Sequence, residues 1–327
     1  MTPAAFLAAH GFGAAERIPL PADASFRRYE RLVGGPVPAL LMLCPPGGEP
    51  LLPFLRIASH LRALGLSAPA VHVVDETAGL ALIEDLGEDT FTALLARGAD
   101  EAALYGLAVE ALAELHRHPP PDFLPAWDAE AMAAAAAATL LDWWWPAAFG
   151  VPPGDAVRAS FRAAARETLA PFADDPPVLV HRDFHVDNLL RLDRPGPAAC
   201  GLLDFQDAGL GHAAYDVMSL LEDARRDIDP GVRRAALARY LDAARVADRA
   251  RFLAAFATHG ALRHARVAAL WTRLARRDGK PRYLRHAPRT WRLLDRALAH
   301  PACAPLAAWF DDHIPRECRR APEEHAA

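Results

Sequence analysis

Lysine occurs once in this chain of 327 residues, at Lys280. Cysteine is almost as scarce. Cys44, Cys200, Cys303 and Cys318 are scattered, with no C-x-x-C pair. That excludes a zinc ribbon, argues against a disulfide framework and fits a reducing compartment. No apolar run approaches the ~20 residues of a membrane span. The opening "MTPAAFLAAHGFG" lacks the basic flank and long apolar region of a signal peptide. A cytoplasmic protein with no membrane partner is expected. What is present, 52% apolar and 24% charged residues, is the composition of an ordinary globular protein. The length allows two lobes and a sizeable core.

The formal net charge of −5 hides an asymmetry. Residues 251–300 hold eleven arginines and Lys280 against only Asp278 and Asp295, an excess of ten positive charges. Such an excess calls for acidic neighbours, an anionic ligand or nucleic acid. No nucleic-acid reading motif accompanies it and the whole chain is acidic, so nucleic acid is not the expected partner.

The hydrophobic pattern divides the chain. "RIPL", "FRRYERLV" and "VPALLMLC" read as strands, followed by "AVHVVD" and "GLALIED" around a turn at Glu76 to Gly79. Between them "LLPFLRIASHLRALG" has helical spacing through Leu52, Leu55, Leu61 and Leu64, stopped by Gly65. Roughly the first 85 residues therefore read as a mostly antiparallel sheet with one helix inserted. Beyond Leu86, residues 100–118 form an amphipathic helix through Leu104, Leu107, Ala111, Leu112 and Leu115, and 128–145 a second one. "VLV", "NLLRL" and "CGLLDF" are short strands around a polar loop, and from Tyr215 the pattern is helical.

That polar loop, "HRDFHVDN" from His181 to Asn188, lies between apolar runs. Polar groups so placed cost free energy unless they are paired or used. From Asp183 to Asn188 the spacing is D-x-x-x-x-N, and Asp204 follows at the end of another apolar strand. This is the arrangement of H-R-D-x-x-x-x-N and the DFG aspartate in protein kinases. Phosphoryl transfer needs a carboxylate near the acceptor hydroxyl and oxygen ligands for Mg²⁺. One loop supplies the base and an amide, and a neighbouring strand end supplies a carboxylate. A rival reading, zinc on His181 and His185, needs a helix to bring residues four apart onto one face. The flanks here are strands, so His185 is expected to pack and hold the loop.

With these residues the chain resembles the aminoglycoside-phosphotransferase-like kinases, through "HRDFHVDNLL" and "GLLDFQDAGLGHAAYDVMSLLEDAR". "DASFRRY", "PFLRIA", "LALIEDLGEDTF" and "LARRDGKPRYL" resemble one branch, the bacterial cell-wall amino-sugar kinases. Those phosphorylate the anomeric hydroxyl of N-acetylmuramate and N-acetylglucosamine. The resemblance runs from about Asp23 to about Trp309 and implies an α+β, protein-kinase-like two-lobed fold. A small antiparallel-sheet N-lobe would cover residues 1–86, with a hinge at about 83–87, and a larger, mainly helical C-lobe residues 87–327. It implies ATP and Mg²⁺ as cofactors, Asp183 as catalytic base, and Asn188 and Asp204 as metal ligands. Ile83, Glu84 and Asp85 would meet adenine through backbone groups. Ala24, Ser25, Phe26, Arg27 and Arg28 would take the place of a phosphate-covering loop. Asp216 in "YDV" would open a helix and brace the loop with His181 and His185.

The chain departs from the pattern in its N-terminal part. Kinases place a lysine in the third strand, paired with a glutamate on the adjacent helix. Met42 stands in that strand, and helix 52–64 has no acid. A lone survivor would be a buried unpaired charge, so joint loss is expected. Arg27, Arg28 and Arg56 are the candidate replacements, and "DASF" has no glycine. Arg263 and Arg266, three apart on a helix, together with Asp207 and Arg225, are the candidate sugar-binding residues, since an arginine fork suits the lactyl carboxylate of N-acetylmuramate. Trp271 and Tyr283 would form a sugar-facing wall. The expected partner is a small sugar, with no obligate protein partner. Alternatives are another small alcohol, of the aminoglycoside, homoserine or choline type, or a nucleotide-binding pseudokinase.

Overall fold

The computed structural model describes residues 1–21, 27–44 and 51–322. The chain packs as two compact units: Met1–His118 with Val186–Ala208, and Pro119–His185 with the chain from Gly209 on.

In the first unit, α1 (Pro3–Ala9) precedes β1 (Glu16–Pro19), β2 (Arg28–Val33) and β3 (Ala39–Leu43). Helix α2 (Leu51–Ala63) leads to β4 (Val71–Asp75) and β5 (Leu80–Glu84). The five strands form one antiparallel sheet in the order β1-β2-β3-β5-β4. The turn into β5 requires glycine. Gly79 has φ +66°, and a Cβ there would lie 2.1 Å from the Cys44 carbonyl oxygen. Helix α1 lays Phe6 and Leu7 against Leu32, Ala39, Leu41, Leu80 and Leu82. Neither α1 nor α3 (Phe91–Ala96) was expected. Both are too short for helical periodicity to register. Their starts carry signals all the same: Thr2 caps α1 with Pro3 at its first position, and Thr90 caps α3.

The buried face of α2 corrects the sequence reading. Leu51, Phe54, Ile57, Ala58 and Leu61 are buried, while Leu52 is 50% exposed. Leucine spacing alone gave the wrong phase because Phe54 and Ile57 carry the stripe. Helix α4 (Glu101–Arg117), capped by Asp100, buries Leu104, Ala111, Leu112 and Leu115 as expected. The ribbon of β7 (Leu189–Arg191) and β8 (Cys200–Leu202) belongs to this unit. A Ser67–Gly201 bridge, the bond from Ser67 Oγ to the Ala198 carbonyl (2.7 Å) and the Arg194–Glu84 ion pair hold it.

In the second unit, α5 (Ala129–Thr139) is followed by a π-helical turn, Leu140–Trp144, and then α6 (Trp145–Phe149). A single helix over 128–145 was expected. The Thr139 hydroxyl turns inward, 3.1 Å from the Ala136 carbonyl and 2.9 Å from the Arg266 carbonyl, where the α-helical ladder gives way. The wider turn buries Trp144, whose indole donates to the Arg320 carbonyl at 2.8 Å. Helix α7 (Asp155–Leu169) leads to β6 (Val178–Val180), which pairs with β9 (Gly209–Gly211). Then come α8 (Ala214–Leu221), α9 (Pro230–Ala243), α10 (Arg249–Arg276), α11 (Ala287–Leu298) and α12 (Ala304–His313). Helices α5, α8 and α11 all pack on α10. Among the described residues no helix is long and apolar enough to cross a membrane, and the four cysteines are free thiols.

Candidate active site

Asp183, the residue expected to act as base, follows β6, whose three residues are all buried. Asp216 lies in the first turn of α8 and is fully buried. Its carboxylate accepts the His181 N–H at 2.6 Å and the Arg182 N–H at 2.9 Å. Those bonds hold an otherwise costly backbone, since Arg182 has φ +73°. The Arg182 guanidinium lies 3.8 Å from the ring centroid of Trp127. Trp127 is seated against β9, its main-chain N–H donating to the Leu210 carbonyl at 2.7 Å. A Cβ on Gly211 would come within 2.9 Å of the Trp127 carbonyl oxygen, so this close approach requires glycine. One carboxylate and one aromatic ring thus fix the residue before Asp183.

Asp183 is half-buried. Burial works against its charge, yet Arg266, His185, Arg263 and His181 together hold its carboxyl below the usual carboxylate range. The two arginines come from α10. His185 is buried, and its Nε2 accepts from Arg225 Nη1 at 3.2 Å. His181 packs edge-on to Phe184, with ring centroids 5.5 Å apart. The arginine pair is not a solvated face: Arg263 is 4% exposed, and its Nη1 has no hydrogen-bond partner among the described residues. Arg225 also lies over Trp271, 5.7 Å from its centroid, and Trp271 stacks on Tyr283 with ring planes 2° apart.

A buried charge network supports this wall. Glu222 accepts from Arg233 (2.5 Å), Arg296 (2.9 Å) and His264 Nε2 (2.8 Å). Burial opposes its ionisation, but the His264 hydrogen bond and the arginine charges hold its carboxyl at about 2. Burial in turn keeps His264 neutral. The pair stands as carboxylate and neutral imidazole.

In the first unit, Asn188 and Asp204 meet across the β7–β8 ribbon. The Leu203 N–H donates to the Asn188 carbonyl (2.9 Å), and the Asn188 amide lies 3.4 Å from Asp204 Oδ2. Asp204 is exposed and has φ +59°, which aims its carboxylate off the strand. Its Oδ1 accepts from Gln206 at 2.8 Å. One carboxylate and one amide, open to solvent, fit a hard divalent cation that keeps water and phosphate oxygens as its other ligands. Among the described residues no group of three or more His, Cys, Asp or Glu could hold a metal by itself. His181 and His185 have no such third ligand.

The same unit distinguishes the three candidate cations. Arg28 and Arg56 are exposed, whereas Arg27 is 4% exposed. Arg27 is hydrogen-bonded to Tyr29, whose hydroxyl burial pushes up to about 12, opposed by Arg27 and reinforced by Asp204 and Cys44. Arg27, Tyr29 and Asp204 therefore share one neighbourhood. Met42 is fully buried opposite Tyr29 in the sheet. Ala24, Ser25 and Phe26 lie outside the described residues. The expected hinge residues lie at the end of β5. The Glu84 and Asp85 N–H groups donate to the carbonyls of Ala70 (2.8 Å) and Pro38 (3.3 Å), so these two amides are spent within the sheet. Ile83 is buried, and Asp207 is exposed on the loop after β8.

Tyr29, Trp127, Glu222 and His264 were not singled out from sequence. For Tyr29 a signal exists, its place in "FRRYER" beside a buried arginine; the others act through contacts distant in sequence.

The model of the phosphotransferase enzyme family matches residues 16–253. An N-acetylmuramate/N-acetylglucosamine kinase of Caulobacter vibrioides is 39% identical over 97% of this chain and 97% of its own length. One from Pseudomonas aeruginosa is 36% identical over 87% and 84%. Among solved structures, a choline/ethanolamine kinase family protein from Mesorhizobium loti superposes with a TM-score of 0.60 at 15% identity, covering 90% of this chain and 91% of its own. That likeness carries the fold, the protein-kinase-like α+β architecture expected. The chain belongs to the phosphotransferase enzyme family and, within it, groups with the N-acetylmuramate/N-acetylglucosamine kinases.

Proposed function

We propose that this enzyme transfers the γ-phosphoryl group of ATP to the anomeric hydroxyl of N-acetylmuramate and/or N-acetylglucosamine, in cell-wall sugar recycling. The observation that carries the reading is Asp183, ionised among arginines and fixed through the main chain by Asp216. The anomeric oxygen attacks the γ-phosphorus, its proton passes to Asp183, the β,γ-bridging P–O bond breaks and ADP leaves. An anomeric hydroxyl is more acidic than an ordinary alcohol, so a carboxylate with a depressed pKa suffices as base. Asn188 and Asp204 would hold Mg²⁺, which would supply charge neutralisation to the transferred group. Arg27 stands in for the absent lysine, beside Tyr29 and Asp204. The functional division proposed is a nucleotide lobe 1–86 and a sugar lobe 87–327, although Asn188 and Asp204 pack in one compact unit with Met1–His118; the enzyme is proposed to be cytoplasmic and to need no protein partner.

Arg225, Arg263 and Arg266 around the Asp183 segment disfavour a cationic acceptor such as choline or an aminoglycoside. The test is a panel of sugars and alcohols with ATP and Mg²⁺, read by phosphorus NMR. A sugar 1-phosphate from either amino sugar is expected. Phosphate appearing on another alcohol, or on a non-anomeric hydroxyl, would replace the reading.

A further inference from the structure

Two buried acids follow α8, and their surroundings differ. Glu222, 6% exposed, has donors on both oxygens. Asp223 is 2% exposed. Its Oδ1 accepts the Arg225 N–H at 2.7 Å, whereas Oδ2 is buried with no hydrogen-bond partner among the described residues. A buried carboxylate oxygen without a donor is among the most costly groups a fold can carry. Arg289 does not supply one. It interacts with Asp223 electrostatically, but its guanidinium is committed to both oxygens of Asp227, at 2.9 and 2.8 Å.

Asp223 adjoins the Asp183 segment through Arg225. Arg225, whose backbone Asp223 holds, reaches His185 beside Asp183 and lies over Trp271. His286, packed on Trp271 at 5.4 Å, responds electrostatically to both Arg225 and Asp223. A carboxylate acceptor and a guanidinium next to the proposed base are groups that recognise a sugar: hydroxyls donate to the first and oxygens accept from the second.

We propose that Asp223 is a specificity-determining residue that accepts a hydrogen bond from a hydroxyl of the acceptor sugar. The inference rests on the amino-sugar reading above. The charge of Asp223 restricts the hydroxyl. In N-acetylmuramate O3 carries the lactyl carboxylate, which a buried aspartate would repel. The contact therefore falls on a hydroxyl that both sugars share, at C4 or C6.

The test is a kinetic cycle of wild-type and D223A enzymes on N-acetylglucosamine and its 3-, 4- and 6-deoxy analogues. Wild type should lose about ten- to a hundredfold in kcat/KM on the 4- or the 6-deoxy sugar, the range for a hydrogen bond to a charged group. D223A should show the same loss on the parent sugar, no further loss on that analogue, and an unchanged KM for ATP. Should D223A not fold, D223N keeps the shape and is run through the same cycle. Losses from variant and analogue that multiply at every position would overturn the proposal and leave Asp223 a structural residue. A loss confined to the 3-deoxy sugar would overturn it as well. Wild-type enzyme inert on every amino sugar would instead overturn the functional reading, so the two failures are distinct.

Discussion

Asp183 and Asp204 both follow short apolar strands, and both depend on a non-glycine residue in the left-handed region: Arg182 at +73° in one case, Asp204 itself at +59° in the other. Such conformations cost of order 1–3 kcal/mol each and persist only where surroundings enforce them. The surroundings are opposite. Asp183 is half-buried, its charge already balanced by arginines of the same unit, its main chain clamped by Asp216. Asp204 is exposed, hydrogen-bonded to Gln206 and Asn188, with Arg27 and Tyr29 in the same neighbourhood. The proposed base is thus caged by cations before substrate arrives, while the proposed metal ligand stands open to a cation that comes with the nucleotide.

The comparison breaks most directly at Asp183. D183N keeps the shape and removes the base. Turnover should fall ~10²–10⁴-fold, the range for general-base catalysis, with ATP affinity measured by calorimetry unchanged. Retention of more than about a tenth of the activity would sink the assignment.

Next in size is the clamp. D216A leaves the His181 and Arg182 N–H groups buried without acceptors, a cost of roughly 2–4 kcal/mol in unfolding free energy. Turnover should collapse with stability, and the metal requirement of the residual activity should not move. A shift in metal requirement would show that the two aspartates are not held independently.

The sugar side offers a smaller effect. R263A should raise KM for N-acetylmuramate about ten- to a hundredfold, the worth of a charge-assisted contact, and change KM for uncharged N-acetylglucosamine little. Equal losses on both sugars would reassign Arg263 to the fold or to a shared group. On the metal side, N188A and D204A should each raise the Mg²⁺ concentration needed for half-maximal rate, by about an order of magnitude or more. An unchanged titration in both variants would mean that the cation is held elsewhere.

These two regions were legible in the sequence to different degrees, for physical reasons. The spacing from Asp183 to Asn188 and the strand end at Asp204 are local, and period-two alternation marks the sheet. Asp216 was expected only through the resemblance of "YDV", since α8 starts after Ala213 without a side-chain cap. What holds Arg182 could not: Trp127 lies 55 positions upstream in a loop and acts through an aromatic face. The link between Glu222 and His264 spans 42 positions. Leucine spacing misphased α2 because its stripe runs through Phe54 and Ile57. The three candidate cations of the N-terminal part could be ranked only by burial, which singles out Arg27.

The smallest effect concerns the charge of Asp183 itself. Its carboxyl lies below the usual range because nearby cations favour the ionised form, Arg266 most strongly. As pH falls, the base is lost only on passing through that depressed pKa, so kcat/KM in wild type should stay level into the acid range. Removing Arg266 takes away a stabiliser of the charged form and raises the pKa. In R266A the acid limb should therefore move to higher pH. R263A should move it in the same direction by a smaller amount, since Arg263 acts less strongly on Asp183. The measurement is the pH profile of kcat/KM on N-acetylglucosamine, whose lack of charge keeps substrate titration out of the curve. A limb that moved to lower pH, or that moved more for R263A than for R266A, would mean that the arginines act on the substrate or the fold and not on the base.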